Sequence, residues 1–236
     1  MGHRIRIYDF ETTDLDPSAE VIEVGFCDVV QDEHGWNLGP SGSWLCGASR
    51  PIGPAARAAH HISPADIAGL APFHPALMWA QARTDGVEIV CAHNLDFEAQ
   101  FWGDPALPLL CTYKAALRTW PAAPSHGNGA LRYWLEEQGR IAPVHEKTLP
   151  AHRAEPDAYV TAWLLLALLR VNTAADMVRW TKEPRVLPTC PIGKFRGRQW
   201  ADVEAGFLEW MLKQESMEAD LKWNAQRELD RRQVAA

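Results

Sequence analysis

Ile5-Arg6-Ile7-Tyr8-Asp9-Phe10-Glu11-Thr12-Thr13-Asp14-Leu15-Asp16 is the stretch from which the rest of the chain can be read. Its first half alternates apolar and polar residues, the pattern of a half-buried strand. The strand delivers two carboxylates, Asp9 and Glu11, two positions apart, and a period of two places them on one face. Acids this close repel each other unless something positive lies between them, and a divalent metal is the common solution. A solvated strand end looks the same in isolation, so the remainder of the chain decides whether further ligands exist.

Working outward, 14–18 reads as a turn and 21–30 as a second strand carrying Glu23 and Asp28. The segment 32–43, rich in Gly, Asn and Pro, reads as a hairpin loop, and 44–49 as a third strand. Three strands joined by short connections suggest an antiparallel meander. A helix is expected to start at Ser63-Pro64-Ala65-Asp66, with Pro in the first turn, and another to cover 75–83. The apolar run 87–92 has the length of a buried central strand ending at His93-Asn94. A helix is expected from about Phe97, a short strand at 109–112 leading into a helix through Leu117, and a helix over 128–138 ended by Gly139. The segment 155–171, with Pro156 near its start and a leucine-rich middle, is the strongest helix signal in the chain. The segment 172–191 reads as a linker, followed by helices over 201–214 and 218–232.

The order is three antiparallel strands, then alternating helices and strands, then a small appendix: an α/β layered core. The chain has 236 residues, 47% of them hydrophobic and 22% charged, ordinary for a soluble globular protein. The longest apolar run, 162–169, is too short for a bilayer, and the N-terminus leads straight into a strand, so no membrane association and a cytoplasmic location are expected. Five scattered cysteines form no C-x-x-C pair. The net charge of −7 does not advertise a nucleic-acid binder. The 13 basic and 21 acidic residues up to position 181, against 10 and 9 after it, put the acidity in the larger N-terminal part, where a cluster of acids would mask a nucleic-acid site.

Four groups of residues stand at strand ends or helix starts. They are Asp9 with Glu11; His93-Asn94-Leu95-Asp96-Phe97-Glu98; His152-Arg153-Ala154-Glu155-Pro156-Asp157; and Gly193-Lys194-Phe195-Arg196-Gly197-Arg198. The first three resemble, in order, the three sequence motifs of the DEDDh family of 3′-to-5′ exonucleases, and they span about residues 4 to 170. Cys111-Thr112-Tyr113-Lys114 and its continuation to Pro121 resemble the segment after the second motif in the bacterial exonuclease X branch. The fourth group, with Phe207-Leu208-Glu209-Trp210-Met211, resembles the C-terminal extension of that branch.

The resemblance implies an RNase H-like mixed five-stranded sheet, three strands antiparallel and then parallel strands, flanked by helices. It implies an exonuclease domain over 1–175, a linker over 176–190 and an extension over 191–236. It also implies a metal-dependent 3′-to-5′ exonuclease acting on DNA with a free 3′ end, single-stranded or frayed, and releasing nucleoside 5′-monophosphates. An RNA-trimming relative, or a weakly active accessory subunit, is the alternative. The family includes monomers and dimers, so a homodimer is an open expectation.

Hydrolysis of a phosphodiester needs a deprotonated water and a stabilised leaving oxygen, and two Mg²⁺ or Mn²⁺ roughly 4 Å apart supply both. Such ions prefer oxygen ligands. By resemblance, Asp9, Glu11, Asp157 and an acid of the second motif hold them, and His152 is the general base, a residue type whose ordinary pKa of about 6.5 suits neutral pH. The second motif usually reads His-Asn-x-x-Phe-Asp, whereas here Glu98 takes the last place. Alignment favours Glu98 as the ligand over Asp96, which two helical steps turn about 200° away. Thr12, Thr13 and Leu15 are expected at the 3′-terminal nucleotide, with Phe10, Asn94 and Phe97 shaping its pocket. His60, His61 and His93 receive no catalytic role. Lys194, Arg196 and Arg198 are expected DNA contacts, with Phe195 available to stack on a base.

Overall fold

The computed structural model describes residues 2–234 and places the opening stretch at the centre of a five-stranded sheet. β1 (Arg4–Thr12), β2 (Val21–Asp32) and β3 (Gly35–Leu45) form the antiparallel meander; β4 (Ile89–Ala92) and β5 (Leu109–Cys111) add in parallel, in the order β3-β2-β1-β4-β5. This is the expected RNase H-like sheet. The alternation along β1 sorts its residues between two cores. Ile5 and Ile7 join an apolar cluster built on the leucine-rich helix α5 (Ala154–Leu169), while Tyr8 and Phe10 face Trp79 and Trp102 on the opposite side. α5 is apolar nearly all round because it is covered on all sides. It lies across β1, β2 and β3 and touches α3 (Thr112–Thr119) and α4 (Asn128–Glu137).

Several expected boundaries move, each for a physical reason. β3 begins at Gly35, inside the expected loop, because it is an edge strand with a register shift at Cys27/Val29, and an edge tolerates Pro40 and its glycines. No helix starts at Ser63. The Asp66 carboxylate accepts the Ser63 N–H (2.7 Å), and the chain forms turns that end at Gly69, in left-handed backbone. The helix of this region is α1 (Pro54–His60), and α2 (Pro75–Thr84) follows as expected. After Phe97 only a 3₁₀ turn forms, Glu98–Gln100, because Phe101 and Trp102 fold back against the Phe10 side of the sheet. The expected linker is partly helical. α6 (Ala174–Thr181), capped by the Thr173 hydroxyl, buries Met177 in the α5 core.

Beyond it, α7 (Ala205–Lys213) and α8 (Ala219–Val234) enclose an apolar cluster of their own, with Cys190, Phe195, Val203 and Leu208. Asn224 ties this cluster to the incoming chain, accepting from Leu187 N (3.0 Å) and donating to the Arg185 carbonyl (2.7 Å). Among the described residues no single helix is long and apolar enough to cross a membrane.

One glycine sets how closely the layers approach. Gly25 on β2 pairs with Asp9, and a Cβ there would lie 2.0 Å from the Ala154 carbonyl carbon and 2.3 Å from Glu155 N. The first turn of α5 therefore rests directly on the strand that flanks Asp9. Gly25→Ala should push the helix off the sheet and cost about 1–3 kcal/mol, as overpacking does. Urea unfolding in EDTA checks this, and an unchanged midpoint would contradict the close approach.

Candidate active site

Strand register and helix docking bring the three sequence motifs to one cleft of about 740 Å³. Asp9 and Glu11 enter from the end of β1, Asp157 from the first turn of α5, and Glu98 from the 3₁₀ turn after β4. Oxygen atoms of Asp9, Glu11 and Asp157 lie within 4.8 Å of one another. Glu98 is 4% exposed and its Oε2 has no hydrogen-bond partner. Asp96 is exposed and does not line the cleft, so Glu98 is the second-motif acid that reaches it, with its carboxylate outside the close group formed by Asp9, Glu11 and Asp157. The α-helical rotation expected to separate Asp96 from Glu98 is replaced by a turn and 3₁₀ backbone, with the same outcome.

The electrostatics follow from this crowding. Burial, then the charges of Asp157, Glu98 and Glu11, holds the Asp9 carboxyl well above the ordinary range. Burial and the Asp157 and Glu23 charges push Glu11 up to about 8, with Arg153 opposing. Burial, with a contribution from Asp96, pushes Glu98 up to about 8. Asp157 is raised by burial, against the His152 backbone N–H that it accepts at 2.9 Å. An all-oxygen donor set, short of positive charge and with one orphaned buried oxygen, fits hard divalent cations such as Mg²⁺ or Mn²⁺.

His152 is exposed on the cleft wall, with φ +59°. A non-glycine residue in left-handed backbone must be held there by its surroundings. The bond from its N–H to Asp157 is one restraint. Asn94, also left-handed at φ +66°, and Phe97 line the cleft. So does Leu15, 82% exposed at the lip.

The other expected nucleotide contacts divide. Thr12 lines the cleft, and its hydroxyl donates to the Asp14 carbonyl (2.6 Å). Phe10 reaches the cleft from a buried aromatic group with Phe73 and Trp102. Thr13 does not line it: it is 1% exposed, and its hydroxyl accepts from Glu20 N (3.0 Å). His93 is held between the Thr112 hydroxyl and the His126 carbonyl, and burial pushes it down to about 4, which keeps it neutral.

Lys194, Arg196 and Arg198 are exposed in the C-terminal part and do not line the cleft. Lys194 pairs with Glu204 (3.0 Å). Phe195 is buried against Phe207, ring centroids 5.0 Å apart, so it has no free face for a base, contrary to expectation. Three residues beside the cleft had no expected role: Gly25, Glu23, and Asn128, whose amide donates to the Asp157 carbonyl (3.2 Å). A glycine and an acid inside an otherwise apolar strand were the available signals for the first two.

No protein-family model matches the chain. It is 31% identical over 224 residues to Exodeoxyribonuclease 10 of Escherichia coli, a match covering 92% of this chain and 95% of that one. The chain belongs to the exodeoxyribonuclease 10 family, the exonuclease X branch of the DEDDh exonucleases. The structure of Exonuclease X in complex with 5′ overhanging duplex DNA matches with a TM-score of 0.60 and 28% identity, over 75% of this chain and 99% of that one. Escherichia coli Exonuclease I in complex with an oligonucleotide shares the fold at 14% identity and a TM-score of 0.50, over 75% of this chain and 42% of that one. The cleft described above is therefore the place to look for the chemistry of an exonuclease X family member.

Its charge balance gives a test that needs no substrate. Unfolded Glu carboxyls titrate near about 4.3, whereas folded Glu11 and Glu98 do so at about 8. Between these values the folded protein binds more protons than the unfolded one, so without metal its stability should fall as pH rises. Thermal unfolding in EDTA should show a lower midpoint at pH about 8 than at about 6, and the increment from Mg²⁺ should be larger at the higher pH. Glu98→Gln should reduce the difference, leaving the part that Glu11 carries; an increment that shrinks with pH would contradict the assignment.

Proposed function

We propose that this protein is a metal-dependent 3′-to-5′ exodeoxyribonuclease that releases nucleoside 5′-monophosphates. The observation that carries the reading is that Asp9, Glu11 and Asp157 form one close group of carboxylates in a cleft that Glu98 and His152 also line. DNA as substrate is supported by the name of the 31% identical relative and by the duplex DNA in the matched exonuclease X structure.

Asp9, Glu11 and Asp157 would hold one divalent ion, and Asp9 with Glu98 a second. When bound, such ions supply Lewis-acid stabilisation of the phosphate and leaving oxygen and lower the pKa of water. The roles of the chain's own residues follow from position. His152, exposed on the wall beside Asp157, accepts the proton of the attacking water. The water oxygen bonds to phosphorus as the bond to the leaving 3′-oxygen breaks, and that oxygen takes up a proton. Leu15 at the lip presses against the terminal base, and Asn94, Phe97 and Thr12 bound the space for the last nucleoside. The first turn of α5 carries its positive end toward the same region, favourable for phosphate. Glu98 keeps a carboxylate in the cleft where the family usually has Asp, which favours a working enzyme over an inactive accessory subunit.

Purified protein with Mg²⁺ should shorten 5′-labelled DNA progressively from the 3′ end. Asp9→Ala should abolish the reaction. His152→Ala should slow it by about 10² to 10⁴, the usual contribution of a general base. Nucleotides released from the 5′ end first, or no shortening with any divalent metal, would overturn the proposal. A preference for RNA over DNA strands of the same sequence would favour the RNA-trimming alternative.

A further inference from the structure

Glu23 has no part in the chemistry above, yet it is the acid nearest to it in the sheet. It stands on β2 directly across from Glu11 and is 2% exposed. Its carboxylate is gripped by Arg153 through two bonds, Nε to Oε2 and Nη2 to Oε1, both 2.8 Å. It also accepts the backbone N–H of Ala154 at 3.2 Å. On stability alone this is a poor choice. A buried ion pair rarely outperforms an apolar pair of similar volume. The Glu23 charge also adds to those that raise the carboxyls of Asp9, Glu11 and Asp157. Arg153 offsets part of this at Glu11, so the acid of the pair works against the charge balance of the cleft and its partner answers it there.

Its position supplies the reason. Arg153 is the N-cap of α5 and lies between the left-handed His152 and the first helical turn that carries Asp157. Gly25 sets the depth at which this turn meets the sheet. Glu23 sets its rotation, because a bidentate guanidinium–carboxylate contact fixes orientation as well as distance. We infer that Glu23 and Arg153 form a latch that positions His152 against the cleft, and that both are positioning residues for the base. Removing the latch leaves the chain free to leave the left-handed conformation at His152, while the carboxylates of β1 stay where the sheet puts them. The inference rests on the reading of His152 as general base.

The test is a double-mutant cycle in single-turnover hydrolysis of a 3′-ended DNA strand with Mg²⁺. Arg153→Ala should lower the rate by about 10- to 100-fold, the usual effect of removing an orienting partner, with KM unchanged. Arg153→Lys keeps the charge but not the fork and should fall nearly as far. Glu23→Gln should slow the reaction similarly, and adding it to Arg153→Ala should cost nothing more. In a His152→Ala background, Arg153→Ala should change the rate by less than about twofold, because its effect passes through the missing imidazole. The same loss in both backgrounds would overturn the latch and assign Arg153 to the fold or the metal site. A wild-type rate for Arg153→Ala would also overturn it. His152→Ala at the wild-type rate would instead remove the base assignment, and the latch with it.

Discussion

The structure is organised around a repulsion. Four carboxyls, from Asp9, Glu11, Glu98 and Asp157, are brought into one partly buried cleft, and each is pushed above its ordinary range. No sequence would adopt this arrangement for stability. It is imposed by stiff surroundings: β1 lies between β2 and β4, α5 is buried on nearly every side, and a glycine opposite Asp9 lets the helix reach the sheet. The binding energy of cations is the natural offset, which couples the folded state of the site to its occupancy.

The layered fold assigns a different task to each neighbour of the cleft. The sheet fixes Asp9 and Glu11 relative to each other through a strand period, the most rigid spacing available. α5 brings Asp157 and, just before it, the strained His152. The loop after β4 brings Glu98 by way of a left-handed Asn94 and a 3₁₀ turn rather than a regular helix. The C-terminal helices have a separate apolar cluster and stand apart from the chemistry, with Phe195 spent on their own packing.

Much of this was legible in the sequence because the informative signals are local. Alternation in β1, the apolar run of α5 and the spacing from His152 to Asp157 are all short-range patterns: the first two place the central strand and the buried helix, and the motifs' resemblance to the DEDDh family implies the mixed sheet and the four acids. The failures share the opposite cause. β3 begins early because an edge strand accepts Pro40, a matter of where the strand lies in the sheet. The helix expected at Ser63 yields to a side chain that bonds backward to its own turn. Thr13, expected at the substrate, is drawn inward by Glu20 N. Gly25, Glu23 and Arg153 were not recognised because their meaning depends on contacts across more than a hundred residues of chain, which no local pattern encodes.

The central claim is that the crowded acids are a two-cation site completed by Glu98. Anomalous diffraction from a crystal grown with Mn²⁺ and thymidine 5′-monophosphate tests it most directly. The account predicts two manganese peaks, both in contact with Asp9, one shared with Glu11 and Asp157 and the other with Glu98. A single peak among Asp9, Glu11 and Asp157, with Glu98 turned away from it, would contradict the account.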